Sequence, residues 1–307
     1  MGKVCVLATC AVALLCLPML GQETMDFESA MSFFVNDQVM IEFSDAGKAQ
    51  LEEIIGALKT GLGAPDDLNE DSEEAVGAVE IDVSMKEAVN NLSQAYYTLA
   101  NVFMTEPESY PIYRAGKHWG FKSLRMNPEF NDLTGGRFDE SVAGETDVRA
   151  LYWTNANWLR ASKENKMAAV FAGVPAKSEM LTNRVLELDP NFIVGGAYRS
   201  FGGYYEQLPG LFGRDMVKAL FYLCHVVDEP VFCDGTGMGE IVPDADSYFE
   251  NRTFFAEYYL IPEKHWEDAQ RVLQSVLDDE IGEIYPLMNA YAKAHAETLM
   301  EEVEANL

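Results

Sequence analysis

Apolar positions along this chain recur at helical spacing, and the strict alternation of a half-buried strand is scarce. Residues 27 to 59 hold apolar positions at mixed helical spacing and finish on Leu51, Ile54, Ile55 and Leu58, and Gly61-Leu62-Gly63 stops that helix. Ser84 and Glu87 have the spacing of a capping box ahead of a helix carrying Leu92, Tyr96, Leu99 and Phe103. Another helix runs from about Ile112 to Met126 and stops at Asn127-Pro128, because the residue before a proline is driven out of the helical region. Residues 129 to 145 read as a loop. Further helices are predicted over about 146–163, 175–188, 190–207, 214–227, 245–260, 264–278 and 283–305. The last two are the clearest, with stripes Trp266, Ala269, Leu273, Val276 and then Ile284, Leu287, Met288, Tyr291, Leu299. His295 lies on the second stripe and reads as a core histidine. The expected fold class is all-α.

Two segments break the pattern. Residues 64 to 83 are acidic and poor in aromatics, which predicts a surface loop. Asp67, Asn69 and Asp71 begin like a calcium loop, but Ser72 stands where that loop needs glycine and Ala78 where it needs a carboxylate. The second is "GGAYRSFGGYYEQLPGLFGRD", residues 195 to 215, where glycines and aromatics crowd together. Glycine inside a helix costs roughly 1 kcal/mol relative to alanine, so Gly196, Gly202 and Gly203 predict close helix approach. The helices come in pairs. "SLRMNP" (123–128) and "VLELDP" (185–190) both end a helix on an apolar turn and a proline, as tetratricopeptide repeats do. The two prolines lie 62 apart, not one repeat length, so the expectation is a degenerate solenoid of antiparallel helix pairs.

Composition changes the picture at the N-terminus first. Lys3 followed by the uncharged run Val4 to Leu20 predicts a signal peptide over residues 1–21, with export preferred to a membrane anchor. Residues 22–307 are then expected to form a single helical domain. That remainder carries 21 basic and 50 acidic residues, a net charge of −29, which repels phosphate backbones and excludes nucleic acid as a partner. Cys5, Cys10 and Cys16 fall in the signal. Cys224 and Cys233, nine apart, fit a disulfide and fit two buried thiols equally well.

Little in the sequence points to catalysis. No nucleophile elbow, metal-ligand spacing or phosphate-cradling loop is present, so neither cofactor nor metal is expected. An all-helical glycosidase remains an alternative, as does a generic peptide-binding repeat scaffold, because carboxylates and aromatics are plentiful. The densest candidate is "ALYWTNANWLRASK" (150–163), where Trp153 and Asn157 are neighbours one turn apart. Trp153, Asn157, Trp158, Tyr198, Phe201 and Tyr205 could wall a groove for an apolar ligand, or be core anchors.

From about residue 84 onward the chain resembles the T-component family of tripartite ATP-independent periplasmic (TRAP) transporters. The resemblance rests on "LYWTNANW", "NRVLELDPNF", "GGAYRSFGGYYEQLPGLFGRDMVKA", "FFAEYYLIP" and "LMNAYAKAHAETL", in that order. It implies a periplasmic, tetratricopeptide-like accessory protein without enzymatic activity. It further implies a homo-oligomer that binds a solute-binding subunit and guides a small apolar ligand. Many members are lipoproteins, yet Leu14-Leu15 precede Cys16 where a small residue belongs, so no lipid anchor is expected. N-terminal sequencing should find a chain beginning near Gln22. Retained Met1, or the mass of a diacylglyceryl group on Cys16, would overturn that reading.

Overall fold

A computed structural model describes residues 25–130, 132 and 137–307. The expected signal over 1–21, with Cys5, Cys10 and Cys16, lies outside the described residues. The fold is all-α. α1 (Phe27–Met31) leads into a hairpin of two short strands, β1 (Phe34–Val35) and β2 (Gln38–Val39), paired Phe34 to Val39. One helix had been expected over 27–59. Asn36 and Asp37 decide otherwise: both take positive φ, and such residues make the two-residue turn that matches strand twist. α2 (Asp45–Gly61) follows, its first turn capped by Ser44, whose Oγ accepts from the Gly47 amide at 3.1 Å.

The acidic segment is not a plain loop. It contains α3 (Glu73–Ala78), and Glu70 just before it is drawn inward. Its Oε1 accepts from the Tyr96 hydroxyl and from Trp119 Nε1, each at 2.6 Å, while Oε2 meets Lys59 Nζ at 2.6 Å. Trp119 is fully buried, so without Glu70 its N–H would be left without a partner. The predicted capping box does not form either: the Asp82 carboxylate takes the Ser84 amide at 2.9 Å and starts a short 3-10 turn, Val83–Met85.

Twelve α-helices then follow the turn among the described residues. They are α4 (Lys86–Phe103), α5 (Ser109–Arg125), α6 (Phe138–Gly144) within the expected loop, α7 (Val148–Ser162), and α8 (Lys166–Phe171). Next come α9 (Val174–Leu188), α10 (Gly196–Gln207), α11 (Met216–Leu223), α12 (Pro230–Cys233) and α13 (Glu250–Phe255). α13 runs on into a π-helical turn, Ala256–Leu260, before α14 (Trp266–Asp278) and α15 (Pro286–Glu304) complete the chain. Consecutive helices pack as neighbours, α4 on α5, α5 on α7, α7 on α9, α10 on α11, and α14 on α15. The N-terminal helices bury Leu51, Leu58 and Leu92 together, and the C-terminal ones Leu223, Phe255 and Leu273. A central cluster around Leu124, Leu151 and Leu181 lies on α5, α7 and α9. Met288 of α15 packs against both the N-terminal and central clusters.

α10 starts six residues later than its apolar pattern suggested. Ile193, Val194 and Gly195 all take positive φ, which is strained for two β-branched residues. Arg199 holds them there. Its guanidinium donates to the Ile193 and Val194 carbonyls at 2.8 Å each and to Asn251 Oδ1 at 2.6 Å.

The tightest helix contact is between α5 and α7. A Cβ on Gly120 would stand 2.8 Å from Thr154 Cα, which is backbone and cannot rotate away. Gly120→Ala should therefore push the helices apart and destabilise the protein by about 1–3 kcal/mol, read from thermal or denaturant unfolding. A loss below about 0.5 kcal/mol would mean that the contact is looser than described.

Candidate functional site

The helix that gives one face to this contact opens on its other side to a cavity. Tyr152, Ala156, Leu159, Arg160 and Lys163 line it from α7 and the turn after it, the spacing of one helical face. Gly196, Ser200, Gly203 and Gln207 of α10 form the opposite wall at the same helical period. Ala169 and Val170 of α8 close one side, and Phe254 and Tyr258 another. Small residues on the facing helix leave space where larger side chains would have met. The cavity volume is about 130 Å³, about ten times what a single water needs.

Its polar groups are few and unequal. Arg160, Lys163 and Lys166 bring positive charge, and among the described residues none of them forms a salt bridge. Arg199 also faces the cavity, but backbone carbonyls, Asn251 and the Tyr248 ring, 4.2 Å away, already hold it. Glu250 is the carboxylate of the wall. Its Oε2 accepts from the Tyr248 hydroxyl at 2.8 Å, and its Oε1 is buried without a partner. Burial, and next the Arg160 charge, pull the Lys163 amine down to about 8. Burial pushes the Tyr97 and Tyr152 phenols up, so both stay neutral hydrogen-bonding groups.

A second cavity of about 30 Å³ lies toward the hairpin, bounded by Asp37, Gln38, Trp153 and Tyr285 among others. Tyr97, Tyr152 and Glu250 are common to the two linings.

None of the six residues singled out from the sequence lines the larger cavity. Asn157 is fully buried, donating to Ser93 O at 3.0 Å and Trp153 O at 2.9 Å. Trp153 packs on Tyr97 with ring centres 5.4 Å apart and borders only the smaller cavity. Trp158 turns the other way, edge-on to Phe121 at 5.1 Å. On α10, Tyr198 stacks on His225 at 4.3 Å, Phe201 stacks on Tyr222 at 4.5 Å, and the Tyr205 hydroxyl donates to Glu179 at 3.0 Å. All six lie on α7 and α10, on faces other than the one that lines the larger cavity. That lining is marked in the sequence by the small residues at 196, 200 and 203 and the cations at 160, 163 and 166, both at helical spacing.

A bundle of helices around a small, largely apolar cavity with a few polar fixtures has the architecture of a binding protein. The chain belongs to the TRAP transporter T-component family, whose family model matches residues 84–306. No curated protein matches the chain. The match makes it an accessory component of a transporter, and it covers both cavity-walling helices. The hairpin and α1 to α3 precede it. Among the described residues no helix is long and apolar enough to cross a membrane.

Behind α10, Cys224 and Cys233 are joined with their Cα atoms 5.5 Å apart. They tie the end of α11 to α12, beside Leu223 and Phe255 in the C-terminal cluster. Thiol counting in denaturant without reductant should find neither cysteine free. Reduction should cost about 2–3 kcal/mol at most, because the closed loop is small. Two free thiols would mean that the protein keeps them as buried cysteines.

Proposed function

We propose that the protein is a non-enzymatic, exported subunit that acts in the periplasm between a solute-binding subunit and a membrane permease. In this reading a small ligand with an apolar body enters the larger cavity and passes toward the smaller one. The observation that carries it is the pair of cavities meeting at Tyr97, Tyr152 and Glu250. Ring rotation of two tyrosines is a small motion compared with separating packed helices. Tyr97 is also only partly buried, so it has room to move. The protein acts as a homo-oligomer in this reading, with the solute-binding subunit docking where the larger cavity opens. The side chains of Phe171 on α8 and Leu211 in the turn after α10 are exposed, close in sequence to the lining residues Val170 and Pro209, and suit such a contact.

The rival readings gain less from the geometry. Glycoside hydrolysis uses two opposed carboxylates, whereas the larger cavity offers Glu250 alone among the described residues. An extended peptide would need a long open groove, and the space between α7 and α10 is short.

Ala169→Phe should block the cavity. α8 buries none of its residues fully, so the fold should tolerate the substitution and the melting temperature should hardly change. Binding of the neutral fluorescent probe N-phenyl-1-naphthylamine should weaken by about tenfold, about 1.4 kcal/mol. Co-purification with the solute-binding subunit of the same transporter should persist. Unchanged probe binding would show that the cavity is not the ligand route.

A further inference from the structure

Basic residues are outnumbered more than two to one in this chain, and many are neutralised by ion pairs. Arg125 meets Glu73 and Asp132, Arg149 meets Asp37, and Arg271 meets Glu229 and Asp268. Arg160, Lys163 and Lys166 differ. They follow one another at three-residue spacing across the end of α7 into α8 and line one side of the larger cavity. The phenols of Tyr258, Tyr97, Tyr113 and Tyr291 lie near Arg160. Burial keeps them neutral, so they do not balance its charge, and among the described residues no carboxylate forms a salt bridge with it. The rest of the lining includes the apolar side chains of Leu159, Val170, Val174 and Phe254.

We propose that Arg160, Lys163 and Lys166 form an anion subsite, and that the ligand is an amphipathic carboxylate whose apolar body fills the rest of the cavity. The inference rests on the reading of this cavity as the ligand route, and it replaces a purely apolar ligand with a charged one. Arg160 and Lys163 are partly buried and Lys166 is exposed. Two partly buried cations without a paired carboxylate beside a partly dry space are unfavourable in the empty protein. A carboxylate offers what they lack, acceptor oxygens for the planar guanidinium fork and for two ammonium groups. The net charge of −28 over the whole chain disfavours anions in general, so a local cluster of this kind is what an anionic ligand would require. Glu250, whose Oε2 accepts from Tyr248 and whose Oε1 is buried without a partner, acts on the Arg199 charge and among the described residues forms no salt bridge with the three cations.

The groups acting on Lys163 are Arg160 and Lys166, which oppose its charge, and Glu257 and Glu106, which favour it. A bound carboxylate adds to the second set. Its affinity should then be full below the Lys163 value of about 8 and decline above it, as the amine loses its proton.

The test compares three eight-carbon probes on the purified protein by titration calorimetry: octanoate, octanol and octylammonium. Octanoate should bind at least about tenfold more tightly than octanol, and octylammonium more weakly than either. Lys163→Gln combined with Lys166→Gln should collapse the octanoate-to-octanol ratio toward one. Lys163→Arg should keep the preference at about pH 7 and flatten its decline toward about pH 9.5, because arginine does not titrate there. Melting curves establish that each variant is folded. Octanol binding as tightly as octanoate, or a ratio untouched by the double variant, would overturn the anion subsite while leaving the cavity as a ligand route. Binding of no probe at all would overturn both.

Discussion

α7 is held close on one face and left open on the other, and the rest of the central architecture follows from that asymmetry. On the closed face, Gly116 and Gly120 of α5 let the helix come near enough that Thr154 and Asn157 touch backbone where side chains would normally intervene. On the open face, Tyr152 lies over Gly196, and beyond it the small side of α10 withdraws. A helix fixed this firmly against α5 cannot collapse toward α10 to fill the gap. Close packing on one side therefore preserves a void on the other.

The start of α10 reinforces the same geometry. Arg199 locks Ile193 and Val194 in a left-handed turn, and this sets where Gly196 meets Tyr152. One buried guanidinium thus serves both the backbone and the cavity wall. Its charge is absorbed locally by carbonyls, an amide and an aromatic face. The neighbouring cations at 160, 163 and 166 have no comparable set of partners. The electrostatic character of the cavity is set by that difference, against the strong acidity of the chain as a whole.

The acidic segment before α4 illustrates how one carboxylate can change the role of a region. Read by composition it is solvated surface. In the fold Glu70 satisfies Tyr96 and the buried Trp119, and Asp71 and Glu73 pair with Arg114 and Arg125 of α5. The segment is therefore pinned along the helix that α7 packs upon, and charge composition alone carried no sign of it.

Helical periodicity, glycine placement and the run of family motifs made the all-α class and the family readable from the chain. They were readable because each depends on local spacing or on ordered sequence, both independent of the partner helix. Which face of α7 and α10 meets a void was not readable. Trp153, Asn157, Phe201 and Tyr205 are the conspicuous residues, and they are conspicuous because they fill tight contacts. The cavity is lined instead by other aromatics and aliphatics such as Tyr152, Phe254 and Tyr258, and by glycine, serine, alanine and a few cations, whose signal is weak in isolation. Sequence fixes the period of a helix but not its rotation about its axis. That rotation follows from which neighbour can approach most closely, a steric choice made only when α5, α7 and α10 pack together.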